Sequence, residues 1–231
     1  NHYLKLFGVD MNNFESIKAL PMFHGMTEQE LRDCAAALSA REQKYKKGQL
    51  ILRAGETTNT MGLVMSGSVT IESNDIWGNC SILSHVGKGG SFAETYAMTR
   101  GEVMLVDVIA NEDCSILFLT VGKLNDYFAH TEPWRIKVIA NLLAISTQKN
   151  LALTGRIFHT ASKSIRGRVL SYLNSVSLRM HSVEFDIPFD RQQLADYLNV
   201  ERTALSKELS KMKVEGIITF RKNHFKITEQ K

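Results

Sequence analysis

The stretch FDRQQLADYLNVERTALSKEL, residues 189–209, holds two short helical patterns with about one residue of turn between them. Asp190 followed by Gln193 has capping-box spacing, in which each side chain bonds the other residue's backbone N–H. Phe189 stands one residue before that cap and Leu194 four after it, the spacing of a hydrophobic staple. Two independent signals therefore start a helix at Asp190. Ala195 is small enough to let a second helix cross closely, and Tyr197 and Leu198 continue the inner face. Asn199 stands where the chain must turn sharply, and Asn tolerates the left-handed conformation better than most residues. Val200 is an apolar plug in the turn.

A second helix is expected from about Glu201 to Val214, with Leu205, Leu209 and Met212 on its buried face. Arg202 and Ser206 are four apart, as are Thr203 and Lys207, so these four share the outward face. GIITFRKNHFKIT (216–228) then reads as two short strands about a turn at Arg221-Lys222-Asn223. Helix, tight turn, helix and basic β-wing make a winged helix-turn-helix.

Such a helix fits the DNA major groove. Arg can donate two parallel hydrogen bonds to guanine, Lys can act similarly, and Thr or Ser can bond several base edges. Arg202, Thr203, Ser206 and Lys207 are thus candidate base readers. Arg191 and Gln192, at the first helix's start, are candidate phosphate contacts, because a helix N-terminus favours an anion. A merely solvated amphipathic helix is the alternative. Charge weighs against it: residues 155–231 hold 14 Lys and Arg against 8 Asp and Glu, net +6, whereas residues 1–154 hold 14 against 16, net −2. Such asymmetry points to a basic module that meets a polyanion.

Upstream, the sequence changes period twice. Residues 12–45 read as helical, with Thr27 and Glu30 as a capping box and Leu31, Cys34, Ala35 and Leu38 at helical spacing. Residues 46–122 alternate short apolar strands with glycines at 55, 67, 78, 89 and 101. That regular spacing reads as an antiparallel barrel or sandwich with strands LILRA, TMGLVMSG, SVTIES, CSILSHV, VMLVDVIA and SILFLT. Residues 124–158 switch to a long helix.

On that helix Ile136, Ile139, Leu143, Ser146, Asn150, Leu153 and Ile157 fit heptad a and d positions, and a polar Asn at an a position sets register in a dimer seam. A second stripe, Val138, Leu142, Ile145 and Ala152, is available to pack on the chain's own sheets. One helix with two apolar faces points to a homodimer; a helix buried within one domain is the alternative. Around TGRIFHTASKS (154–164) the pattern breaks, and Gly155 suits a hinge. Ser164 can cap the helix that follows.

Composition excludes several classes. No run of 18 apolar residues spans a membrane, and NHYLKLFGVDMNNF lacks the features of a secretory leader. Cys34, Cys80 and Cys114 are scattered and odd in number, so no disulfide framework or metal site is expected, and a cytoplasmic setting is. There is no nucleophile–base constellation, and Gly87-Lys88-Gly89-Gly90 is too short for a phosphate loop, so an enzyme is not expected.

With these residues in place the chain resembles the CRP/FNR family of bacterial transcription regulators. The resemblance runs through GQLILRAGETTNTMGLVMSGSVTI, GSFAETYAM, the long helix and RQQLADYLNVERTALSKELSKMKVEGII. It implies an α+β fold: an N-terminal double-stranded β-roll of the cupin or jelly-roll kind (1–123), a long dimerisation helix (124–158) and a winged helix-turn-helix domain (159–231). It also implies a homodimer on a palindromic operator in double-stranded DNA, with RNA polymerase as a further partner. Base-reading positions of the family fall on Arg202, Thr203 and Lys207, with Ser206 beside them.

At the effector site the chain departs from the family. Cyclic-AMP-binding members use a Glu for the ribose and an Arg-Ser pair for the cyclic phosphate. The Glu matches Glu94, but Met104 and Leu105 stand at the Arg-Ser positions, and Arg100 lies four residues early. Cyclic AMP is therefore not expected in the usual pose. An unknown small-molecule effector is expected instead, in a pocket lined by Glu94, Thr95, Tyr96, Met104 and Leu105, with a filled core and no ligand as the alternative. No metal or other cofactor is expected. A different reading of the whole chain, an effector-sensing module that regulates a protein partner, has no use for the C-terminal winged helix.

Overall fold

The computed structural model describes residues 5–6, 9–10, 17–74, 80–125 and 132–228. The chain forms two compact units, Asn1–Ser146 and Thr147–Lys231.

The first unit holds α1 (Glu28–Ala37) and eight strands: β1 (Arg41–Tyr45), β2 (Leu50–Leu52), β3 (Met61–Ser66), β4 (Ser68–Asn74), β5 (Cys80–Gly87), β6 (Ser91–Phe92), β7 (Asp107–Ala110) and β8 (Cys114–Leu119). They make two four-stranded antiparallel sheets, ordered β1-β8-β3-β6 and β2-β7-β4-β5. A two-stranded ribbon, Lys5–Leu6 with Val9–Asp10, lies ahead of them in the chain.

Side-chain alternation along β8 explains its continuous apolar run. Ile116 and Phe118 join Val64, Val69, Phe92 and Val108 in the core between the sheets, while Leu117 and Leu119 face a second core with Phe23, Leu31, Cys34 and Leu38. Gly67 (φ +71°) makes the turn from β3 to β4, and a Cβ there would lie 2.5 Å from the Asp113 carbonyl oxygen, so only glycine fits.

The capping box that opens α1 is present: Thr27 N donates to Glu30 Oε2 (2.7 Å) and Glu30 N to Thr27 Oγ1 (3.3 Å). The helical reading of 12–45 needs correction at its end. Ser39 (φ +51°) leaves the helix, and Arg41–Tyr45 pairs with the edge of β8 as a strand. Residues 12–16 lie outside the described residues. The run VMLVDVIA becomes a strand only from Asp107, because Val103 and Met104 bond instead to the loop at Gly55–Thr57.

The long helix α3 spans Pro133–Thr160 rather than 124–158. Val121–Asn125 is a 3-10 turn, and residues 126–131 lie outside the described residues. In the first unit Trp134, Val138 and Leu142 are buried against the helix-side core and Ile145 packs beside them. Lys137 Nζ pairs with Glu30 Oε2 at 2.7 Å, and Asn141 Nδ2 donates to the Met22 and His24 carbonyls at 3.0 Å each. Ala152, assigned to the same inward stripe, is exposed. Gly155 sits inside α3, not at a hinge; the helix runs on to Thr160 and breaks over 161–164.

The second unit contains α4 (Ile165–Met180), β9 (Glu184–Asp186), α5 (Arg191–Leu198), α6 (Arg202–Val214), β10 (Ile218–Arg221) and β11 (His224–Ile227). Ser164 Oγ accepts from Gly167 N (3.0 Å), capping α4. The wing is a three-stranded antiparallel sheet ordered β9-β11-β10; its third strand, β9, has no apolar run to mark it in the sequence. Leu173, Leu194, Leu198, Leu205, Leu209, Met212 and Phe225 form the core, each worth about 1.5–3 kcal/mol of burial. Among the described residues no helix is long and apolar enough to cross a membrane.

Candidate nucleic-acid interface

Both helix starts in the second unit are fixed by local chemistry. Asp190 Oδ1 accepts from Gln193 N (2.8 Å) while Asp190 N donates to Gln193 Oε1 (2.9 Å), which places Arg191 and Gln192 in the first turn of α5. Asn199 adopts the left-handed conformation (φ 52°, ψ 55°) and ends that helix after two turns. Glu201 then caps α6, accepting from Thr203 N (3.0 Å) and Ala204 N (2.8 Å). Those bonds hold its carboxyl below the usual range, with the Thr203 hydroxyl bond as the largest cause.

Arg202, Thr203 and Lys207 are exposed and Ser206 is half-buried, whereas Leu205, Leu209 and Met212 are buried. The Thr203 hydroxyl donates to the Glu201 carboxylate, so this side chain is oriented by the cap. Arg191 lies over the Phe220 ring of the wing, 5.0 Å from its centroid, and 5.9 Å from that of Phe225. Burial first, and neighbouring Arg202 second, hold its pKa below the usual value. Gln192 Nε2 donates to Asp196 Oδ1 (2.8 Å).

An open cleft of about 670 Å³ brings Arg191, Gln192 and Arg202 together with Lys222 and Asn223 of the wing turn. Its lining holds three cations, Arg191, Arg202 and Lys222, and one carboxylate, Asp190, which caps α5. Lys207, one turn further along α6, is outside this cleft.

Sequence reading missed the residues that hold the helix pair in place. Arg168 donates to the Leu198 and Asn199 carbonyls (3.1 and 2.8 Å), and Arg156 to those of Tyr197 and Asp196 (3.2 and 3.0 Å). Arg166 bridges Glu208 and Glu215 at 2.6 and 2.7 Å. His159 Nδ1 is 2.9 Å from the Tyr197 hydroxyl, within a ring cluster that includes Tyr172, whose phenol burial pushes up to about 12. Their partners lie 30 to 49 residues away, so no local spacing marks them.

The stripe assigned to a dimer seam is outward-facing. Ile136, Ile139, Leu143, Ser146, Asn150, Leu153 and Ile157 are all exposed, Leu143, Leu153 and Ile157 at 67%, 64% and 69%.

In the β-roll the five expected pocket residues do not share one wall. Glu94, on the short helix α2 (Glu94–Met98), is buried and accepts from Ser91 Oγ (3.4 Å). Met104 is buried in the core between the sheets. Gly55 N donates to the Met104 carbonyl (2.8 Å) and Met104 N to that of Glu56 (2.9 Å). That extended pairing turns Met104 inward and its neighbour Leu105 outward, 70% exposed. Thr95 is also exposed, and the half-buried Tyr96 accepts from Leu105 N through its hydroxyl (3.4 Å). Among the described residues no group of three or more His, Cys, Asp or Glu could hold a metal.

Comparison with known proteins agrees with this architecture. Residues 42–131 match the cyclic nucleotide-binding domain family, and residues 167–231 the Crp-like helix-turn-helix domain family. The chain is 26% identical over 203 residues to the cyclic AMP receptor protein of Thermus thermophilus, covering 87% of this chain and 89% of that one. It is 20% identical over 175 residues to the cAMP-activated global transcriptional regulator of Haemophilus influenzae, covering 76% and 78%. Among solved structures, the c-di-GMP-responsive global regulator of Xanthomonas campestris shares the fold, with a TM-score of 0.57 at 17% identity over 88% of this chain and 100% of that one.

Proposed function

Because this chain belongs to the CRP/FNR family of transcription regulators, a DNA-binding family whose cyclic-nucleotide-binding-like and helix-turn-helix domains it carries, we propose that it works as a homodimer reading a palindromic operator. The observation that carries this reading is the outward stripe Arg202–Lys207 beside a cleft where Arg191, Arg202 and Lys222 converge. Arg202, Thr203, Ser206 and Lys207 read base edges, while Arg191 and Gln192 hold the phosphate backbone. The exposed seam on α3 pairs two copies, so two recognition helices meet half-sites about 34 Å apart. RNA polymerase is the expected further partner, and the cytoplasm the expected setting.

Effector control acts by population shift between dimer geometries, through the short segment 161–164 between α3 and α4. Cyclic AMP is not that effector in our reading, although both relatives above are named for it. Met104 and Leu105 offer no cation where a cyclic phosphate needs one, and an unpaired buried charge costs several kcal/mol. Isothermal titration tests this point: no heat of binding is expected from cyclic AMP, and micromolar or tighter affinity contradicts it. The DNA reading is tested by fluorescence anisotropy of a labelled duplex. Binding at ~50 mM salt with release as salt rises supports it, and a duplex left free at ~50 mM salt contradicts it.

A further inference from the structure

The first unit carries a second concave feature that DNA reading does not use. We propose that it is a ligand site for a small organic phosphate; of the residues where the family resemblance places the effector it shares Met104 and leaves out Glu94, Thr95, Tyr96 and Leu105.

The cleft measures about 750 Å³ and lies on the flank of the β-roll. Its walls are the loop 52–60, the turn that follows α2, and Gly122–Lys123, with Arg41 at one side. The loops are tied to each other. Gly122 N donates to the Asn59 carbonyl (3.1 Å), and a Cβ on Gly122 would lie 3.0 Å from Asn59 Cβ and 3.2 Å from the Ala97 carbonyl oxygen. The two Met104–loop bonds already described close the other side. A wall held in this way loses little freedom when a ligand binds.

The charge of the lining points to an anion. Among the described residues, Arg41, Arg53 and Lys123 line the cleft with one carboxylate, Glu56, although residues 1–154 carry a net charge of −2. Arg100 also lines it and is engaged in an interaction of its own. Arg41 is steadied over the Phe118 ring, 5.3 Å from its centroid, and among the described residues it makes no ion pair with an acid. Lys123 Nζ donates to the Ala37 carbonyl (3.1 Å) and Ser39 Oγ (2.8 Å), both neutral. Arg53 is exposed on the loop.

Phosphate is the anion these groups suit best. Guanidinium forks match its oxygens in pairs, and the hydroxyls of Thr57 on the loop and Thr99 on the turn after α2 add donors from two walls. The cleft is too large for inorganic phosphate alone and lies in the range for small organic ligands. The half-buried Leu52 contributes an apolar patch on which a ring can rest. A nucleoside diphosphate has the required charge, size and ring.

The test is isothermal titration of the full chain with ADP, and separately with inorganic pyrophosphate, at ~150 mM salt without divalent cations. One ADP per chain is expected, with pyrophosphate weaker for want of the apolar contact. Arg53→Gln and Arg41→Gln each weaken ADP at least tenfold, and Arg53→Lys, which keeps the charge, weakens it less. Both Gln variants retain DNA binding, which serves as the folding control. Arg202→Ala, on the other unit, leaves ADP affinity unchanged. Absence of ADP binding up to millimolar concentration overturns the proposal. Binding that Arg202→Ala abolishes and Arg53→Gln does not also overturns it, because the phosphate would then sit on the DNA-binding face.

Discussion

Arg191 stacks on Phe220, its guanidinium carbon 5.0 Å from the ring centroid, and so ties the first turn of α5 to the wing. The ring presents the cation at the cleft shared with Arg202 and Lys222. Such a contact contributes about 0.5–2 kcal/mol. Arg191→Ala is expected to weaken binding to all DNA sequences about equally and to reduce the salt slope by about 1, as loss of one phosphate contact does. Affinities for a best-site and a random duplex, each measured over a range of salt, check this. A loss confined to the best site reassigns Arg191 to base reading.

Arg202 carries the sharper expectation. It is exposed at the first position of α6, where bidentate bonding to a guanine is worth about 1–3 kcal/mol. Arg202→Ala should cost that amount on the best site and relax preference at one base pair per half-site. Binding to a panel of single-base operator variants reads this directly. An unchanged preference would move the reading register along the helix.

Two leucines adjacent on α3 separate the proposed dimer seam from the core. Leu142 is buried in the core that also holds Phe23, Leu31 and Trp134, while Leu143 points away, 67% exposed. Leu143→Asp is expected to turn a dimer into a folded monomer in sedimentation velocity. Leu142→Ala should leave the assembly intact and cost about 2–5 kcal/mol of stability. A Leu143→Asp protein that still sediments as a dimer contradicts the seam.

A histidine on the wing sets a pH dependence. His224 Nε2 lies 3.1 Å from Glu184 Oε1 and Nδ1 lies 3.0 Å from Asp186 Oδ1. The Glu184 bond first and the Asp186 bond second raise its pKa above 6.5. A raised folded-state pKa means that the proton is held more tightly in the fold, so the gain is complete below about 6.5 and is lost as pH rises through the folded value. The urea midpoint of the parent should therefore exceed that of His224→Asn at pH 6, with the gap closing by about pH 9. A gap that widens with pH contradicts the assignment.

Where local signals stood close together, the sequence was legible. The Asp190–Gln193 box, the left-handed Asn199, the Leu205–Met212 face and the wing turn all lie within a few residues of their partners. Long-range pairing was not legible. Arg41–Tyr45 has no apolar alternation of its own and is a strand only because β8, more than 65 residues on, offers it an edge. Leu105 and Met104 looked equivalent as pocket walls, yet backbone bonds to residues 55 and 56 point them in opposite directions. Arg41 and Lys123, far apart in the chain, gave no hint that they share a cleft.

The most direct test of a dimeric operator reader is selection of the purified protein against a random duplex pool at ~150 mM salt, where non-specific binding is weak. The account predicts an enriched palindrome with half-site centres about one helical turn apart. Enrichment of a single asymmetric site, or of no motif with or without small-molecule effectors, would contradict it.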